Sequence, residues 1–143
     1  MQSHELVEAK KEFDRINPDK YQTKFAKELY CWIIIPHWPS EDIPLKDIHY
    51  EFRYSNKEGL FVECHIENER YVYAGKIFKE LADTIKVVNG IQLEFFENRK
   101  YPNLRKRPSL SIRLGHNVSG VNSAKTMIEL IEKTKTQMSN HLY

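Results

Sequence analysis

The sequence predicts an α+β fold. The expected form is a two-layer sandwich: an antiparallel four-stranded sheet in the order β-β-α-β-β-α, with helices on one face, preceded by one or two N-terminal helices. Three observations predict it. Segments 49–54, 60–66, 91–97 and 109–114 alternate apolar and polar residues with the two-residue period of a strand. Segments 72–88 and 123–142 repeat their apolar residues at helical spacing instead. The alternation leaves each strand one wet face, which marks antiparallel rather than buried parallel sheets. With 143 residues the chain is expected to form a single domain, residues 1–143, with residues 1–20 as a loosely attached helical arm.

Along the chain, Leu6–Phe13 reads as a short amphipathic helix, and Pro18 and Asp19 suit a helix restart. Tyr21, Phe25, Leu29 and Ile33 recur every fourth residue, which is helical, whereas the β-branched run Ile33–Ile35 favours a strand. Both readings of Leu29–Ile35 stand. Pro36, Pro39 and Pro44 make the next segment a loop, with Trp38 expected to cap one end of the core. A hairpin follows, turning at Ser55–Gly59. Matching its apolar faces pairs Tyr54 with Leu60, Phe52 with Val62 and Tyr50 with Cys64. The opposite face then pairs Arg53 with Phe61, Glu51 with Glu63 and His49 with His65.

A helix over Val72–Val88 presents Ala74, Ile77, Phe78, Leu81, Ile85 and Val88, with Asn89-Gly90 closing it. Strands Ile91–Glu97 and Ser109–Leu114 turn Leu93, Phe95, Leu110, Ile112 and Leu114 inward. The last helix starts near Ser123, capped by Asn122 or Ser123, with Met127, Ile131, Thr134, Met138 and Leu142 inside.

Glu51 opposite Glu63 is unfavourable, because like charges on facing strands repel. A shared proton, an arginine, a cation or water must relieve it. One reading is a solvated sheet face, with Arg53 and Arg113 neutralising the carboxylates. The other is a site. His49, Glu51, Glu63 and His65 are ligand types that zinc or iron accepts. Glu51, Glu63 and His65 would serve general acid–base catalysis, making the protein a hydrolase.

Residues 1–98 hold 13 Lys/Arg against 18 Asp/Glu, and residues 99–143 hold 9 against 2. Much of that excess lies in one tract. Arg99, Lys100, Arg105, Lys106 and Arg107 with the interleaved Tyr101 suit phosphate contact and base stacking. Cys31 and Cys64 show no metal-type spacing, and a polar N-terminus without an export signal leads to the expectation of reduced thiols in a cytoplasmic protein.

The order of "HYEF…EGLFVECHIEN", "FKELADTIKVVNGIQLEFFE", "PSLSIRL" and "MIELIEKTKTQM", over residues 21–142, resembles the small C-terminal domain of unassigned function found in prokaryotic proteins with PD-(D/E)XK restriction-type nuclease modules. The resemblance implies an α+β accessory or recognition module in a nucleic-acid or defence setting, with no catalytic residues. The nuclease signature itself is missing, since Glu63-Cys64-His65 and Glu94-Phe95-Phe96 both lack its lysine.

The leading expectation is therefore a non-enzymatic binding domain without cofactor, contacting nucleic acid or a protein partner. The hydrolase is the alternative. Homodimerisation through an uncovered sheet face, where Phe61 and Phe96 project, is a third.

Overall fold

In the computed structural model of the chain, Ser3 caps the first helix, α1 (His4–Ile16), its hydroxyl accepting from the Leu6 N–H at 3.1 Å. The structure describes residues 3–100 and 106–142, and for 98–100 and 106 the backbone alone. Leu6, Ala9 and Phe13 of α1 are fully buried. The Phe13 ring meets Phe52 edge-on at 5.9 Å. Residues 4–16 are thus a docked helix and not the loose arm expected of residues 1–20, because their apolar stripe is needed to cover the sheet.

The second N-terminal helix does not form. Residues 22–34 make a hairpin of β1 (Gln22–Ala26) and β2 (Tyr30–Ile34). Strand phase explains it. Cys31, Ile33 and Ile35 are buried while Tyr30, Trp32 and Ile34 are only half-buried. The competing every-fourth set places Leu29 in the turn with 36% exposed. An open backbone edge on the next strand accepts β2 as a partner, and that pairing overrides the local helical period.

The predicted hairpin follows as β3 (Ile48–Ser55) and β4 (Gly59–Ile66). Its register is the one expected from matching faces, from Tyr54↔Leu60 to His49↔His65. Gly59 closes the turn at φ 85°, and a Cβ there would lie 2.3 Å from the Gly115 backbone, so only glycine fits.

A 3₁₀ segment (Glu69–Gly75) leads into α2 (Lys76–Ile85), so the α-helix is shorter than residues 72–88 suggested. Asn89-Gly90 does not close it. Asn89 (φ 50°) and Gly90 (φ 77°) both take positive φ and turn a small hairpin of β5 (Val87–Val88) and β6 (Ile91–Gln92). This is the other structure that an Asn-Gly pair specifies. Then come β7 (Glu94–Lys100), β8 (Lys106–Gly115) and α3 (Gly120–Asn140), capped by Ser119.

The main sheet has six antiparallel strands in the order β1-β2-β3-β4-β8-β7, where four were expected. The extra pair is the β1–β2 hairpin. Tyr50, Phe52, Val62, Cys64, Leu110 and Ile112 on one face join the helices in a single apolar core. Tyr50 Oη lies 2.6 Å from Thr134 Oγ1 of α3. Trp38 packs 4.9 Å from Tyr50 and donates its indole N–H to the Lys135 carbonyl at 2.8 Å, closing one end of that core as expected. Among the described residues, no helix is long and apolar enough to cross a membrane.

Candidate metal centre

Strand alternation turns the odd-numbered residues of β3 and β4 away from the helices. That face is not wet. His49, Glu51, Glu63 and His65 are each at most 1% exposed, and Arg53 is 8% exposed. Neighbours on the same face cover them. The Trp32 ring lies 4.8 Å from His49, and the His49 and His65 rings meet edge-on at 4.4 Å. The Arg53 guanidinium lies 4.2 Å from the Phe61 ring. The loops at the ends of β3 and β4 join through a Glu67 N–H donating to the Asp47 carbonyl at 2.7 Å.

The two facing carboxylates are separated by having different partners. Glu63 takes Arg53 Nε and the hydroxyls of Ser109 (2.7 Å) and Ser111 (3.1 Å). Arg113 does not neutralise either carboxylate; it donates to Glu58 at 2.8 Å. Glu51 Oε1 meets His49 Nε2 at 3.0 Å and also contacts His65 Nε2. Its other oxygen, Oε2, is buried without a hydrogen-bond partner among the described residues. An unsatisfied buried acceptor is costly, so it calls for an explanation.

The far nitrogens of both imidazoles face oxygens. His49 Nδ1 lies in hydrogen-bond geometry 2.7 Å from the Leu45 carbonyl oxygen, and His65 Nδ1 forms an ion pair with Glu67 Oε1 at 2.9 Å, outside hydrogen-bond geometry. The Leu45 oxygen can only accept, so His49 Nδ1 carries its proton, and the Glu67 charge favours a proton on His65 Nδ1. In the neutral ring, Nε2 then presents a lone pair, and both lone pairs point at the Glu51 carboxylate. Metal-binding histidines are held in this way, one nitrogen donating to a carbonyl or carboxylate and the other left for the ion.

Without an ion, a proton must sit between these acceptors. Burial alone would push His65 down. The charge and hydrogen bond of Glu51, helped by Glu67, outweigh that and bring it up to about 10. Burial likewise pushes Glu51 up, but the His65 charge and the hydrogen bonds of His49 and His65 bring it down to about 2. The metal-free cluster is therefore a carboxylate–imidazolium network.

The same donors fit a cation. Ligand atoms of His49, Glu51 and His65 lie within 4.8 Å of one another. Bonds of about 2.0–2.2 Å to one ion separate its ligands by roughly 3–4 Å, so small side-chain shifts suffice. Two imidazoles and one carboxylate are a donor set for zinc or another first-row divalent metal. His49 and Glu51 also line a cleft of about 510 Å³, together with Trp32, Tyr30, Lys46 and Glu67.

Of the four expected ligands, the structure brings three together and leaves Glu63 committed to Arg53 and two serines. Within the basic tract, Tyr101 and Arg105 lie outside the described residues. Arg99 and Lys100 pair with Arg107 and Lys106 across β7 and β8. The Arg107 guanidinium donates to the Glu67 carbonyl at 3.2 Å and lies 3.5 Å from Glu69. Phe61, expected to project from the sheet, is 1% exposed beneath Arg53 and Arg113.

Sequence reasoning missed Glu67 and Trp32. Glu67 continues the 61-63-65 phase one step beyond the strand, so the alternation already pointed to it. Trp32 was hidden by the helical reading of residues 21–33. Comparison of the chain with protein-family models, with curated proteins and with solved structures finds no match.

Proposed function

We propose that this protein is a mononuclear metal protein of the hydrolase type, with His49, Glu51 and His65 as ligands. The observation that carries it is the pair of imidazoles with both Nδ1 atoms facing oxygens and both Nε2 atoms turned on a carboxylate that keeps one buried oxygen without a partner. Three protein ligands leave a coordination position free and two of them, His49 and Glu51, line the cleft, a combination that suits reactive sites rather than closed structural ones. A divalent ion held there supplies Lewis-acid polarisation of a bound water or carbonyl oxygen. The chain supplies the rest. Leu45 and Glu67 fix the two ring orientations, Arg53 holds Glu63 out of the site, and Trp32 shields His49 from water.

Calorimetric titration with zinc and with manganese tests the reading. One equivalent should bind with micromolar affinity or better, and Glu51→Gln and His49→Gln should each weaken it at least tenfold. A cooperative thermal transition without metal checks that each variant folds, and added metal should raise the melting temperature of the parent chain but not that of Glu51→Gln. No heat and no thermal shift with either metal would refute it.

The accessory nucleic-acid role implied by the family resemblance rests on Arg99, Lys100, Tyr101, Arg105 and Lys106, with Arg107 tied to Glu69. A salt-dependent gel shift of labelled duplex, lost on neutralising those cations, would support it. No shift at low salt would remove it.

A further inference from the structure

Two kinds of side chain line the cleft. His49 and Glu51 are buried. Trp32, Tyr30 and Leu29 are half-buried or at the surface, and able to cover a flat apolar body. Lys27 and Lys46 also line the cleft. Both are exposed, and neither has an ion-pair or hydrogen-bond partner among the described residues. A volume of about 510 Å³ suits a small molecule rather than a polymer.

Charge selects further. Among the described residues, the carboxylates of the cleft are Glu28, Glu51 and Glu67. Glu28 has a cationic partner of its own, so Glu51 and Glu67 are left to balance the two lysines. A divalent ion taking the place of the imidazolium proton makes the cleft net positive. An anionic ligand is therefore favoured once the ion is bound. Phosphate is usually gripped by arginine forks or by backbone N–H cradles. Among the described residues, the lining holds no arginine and no glycine. A carboxylate, which needs only the ion and an ammonium group, fits better.

Resting on the metal reading above, we infer that the loaded cleft binds a small organic carboxylate with a flat, aromatic or unsaturated body. The carboxylate lies toward the ion and Lys46, the body lies against Trp32 and Tyr30, and Lys27 supplies the second cation of the lining. Trp32, 4.8 Å from the His49 ring, is the natural reporter.

The test uses 2-naphthoate as probe and the full chain carrying Trp38→Phe, which leaves Trp32 as its one indole. Zinc loading is first verified by calorimetry. The loaded protein should show saturable quenching of Trp32 fluorescence at submillimolar probe. Affinity should fall at least tenfold for neutral 2-naphthamide, at least tenfold for the metal-free protein and at least fivefold for Lys27→Gln/Lys46→Gln. Equilibrium dialysis against the unsubstituted chain should give the same ranking, independently of the Trp38 change. If zinc does not bind, the metal reading falls and this inference falls with it. If zinc binds but the amide matches the acid, or the lysine pair is indifferent, only this inference is overturned. Displacement by equimolar inorganic phosphate would overturn the choice of carboxylate.

Discussion

Replacing Glu63 by glutamine should destabilise the protein markedly, although the facing-carboxylate pattern alone suggests that removing one charge relieves repulsion. Glu63 is fully buried and Arg53 is 8% exposed, so the guanidinium depends on this counter-charge. Removing one partner of a buried ion pair costs about 3–5 kcal/mol. Glutamine keeps one acceptor oxygen for Arg53, which places the expected loss at the lower end, about 3 kcal/mol. At a urea m-value of about 2 kcal/mol/M, that moves the unfolding midpoint by roughly 1.5 M. In a thermal scan it corresponds to a drop of roughly 6–12 °C. Urea unfolding followed by circular dichroism measures it, with an unchanged slope showing that the transition stays two-state. The double variant Arg53→Met/Glu63→Leu should recover most of the loss, because it leaves no unpaired charge. Ser109 and Ser111 then keep each other, their hydroxyls lying 2.7 Å apart. A Glu63→Gln protein as stable as the parent would refute the pairing and restore simple repulsion as the dominant effect.

Three other outcomes are expected. The metal-free chain should be pH-sensitive in two directions. Glu51, depressed to about 2 from 4.5, contributes stability above pH 4.5 that is lost as pH falls toward 2. His65, raised to about 10 from 6.5, contributes stability below pH 6.5 that is lost as pH rises through 10. Melting temperature against pH in chelator should show both limbs, Glu51→Gln should flatten them, and a level profile from pH 6.5 to 10 would contradict the network. Glu67→Ala should weaken zinc binding about 10–100-fold, as loss of an outer partner of a ligating histidine does, and unchanged calorimetric affinity would count against it. Both thiols should resist reagents, since burial pushes Cys31 up to about 12 and Cys64 well above its ordinary value. A chromogenic disulfide at pH 8 should detect no fast thiol in the folded chain and two after unfolding.

Local pattern was enough wherever one period dominated. The β3–β4 hairpin came out in the expected register because its apolar residues alternate without interruption, and a one-residue slip would have exposed all of them. The same phase placed His49, Glu51 and His65 on one face. It could equally have placed Glu67 there. The last helix was legible from its apolar stripe, though Ser119 and not Asn122 or Ser123 caps it. Two signals were truly double. Asn89-Gly90 suits a helix end and a tight hairpin alike, and the neighbouring Val87–Val88 decides for the hairpin. Residues 21–34 satisfy both periods, and only the open edge of β3 decides for strands.

By itself the sequence determined which residues share a face, because side-chain direction follows the backbone period and nothing further away. Whether that face is wet or dry lay beyond it. Burial depends on what neighbouring strands and loops bring over the face, and here Trp32 arrives from β2, Leu45 from the loop before β3, and Phe61 and Glu67 from β4 and the residue after it. Only the tertiary structure decided that Glu63 belongs to Arg53, that Glu51 belongs to two histidines, and that a cleft opens beside them. Charge pairing inside a protein is set by distances across strands, and those distances exist only once the chain has folded.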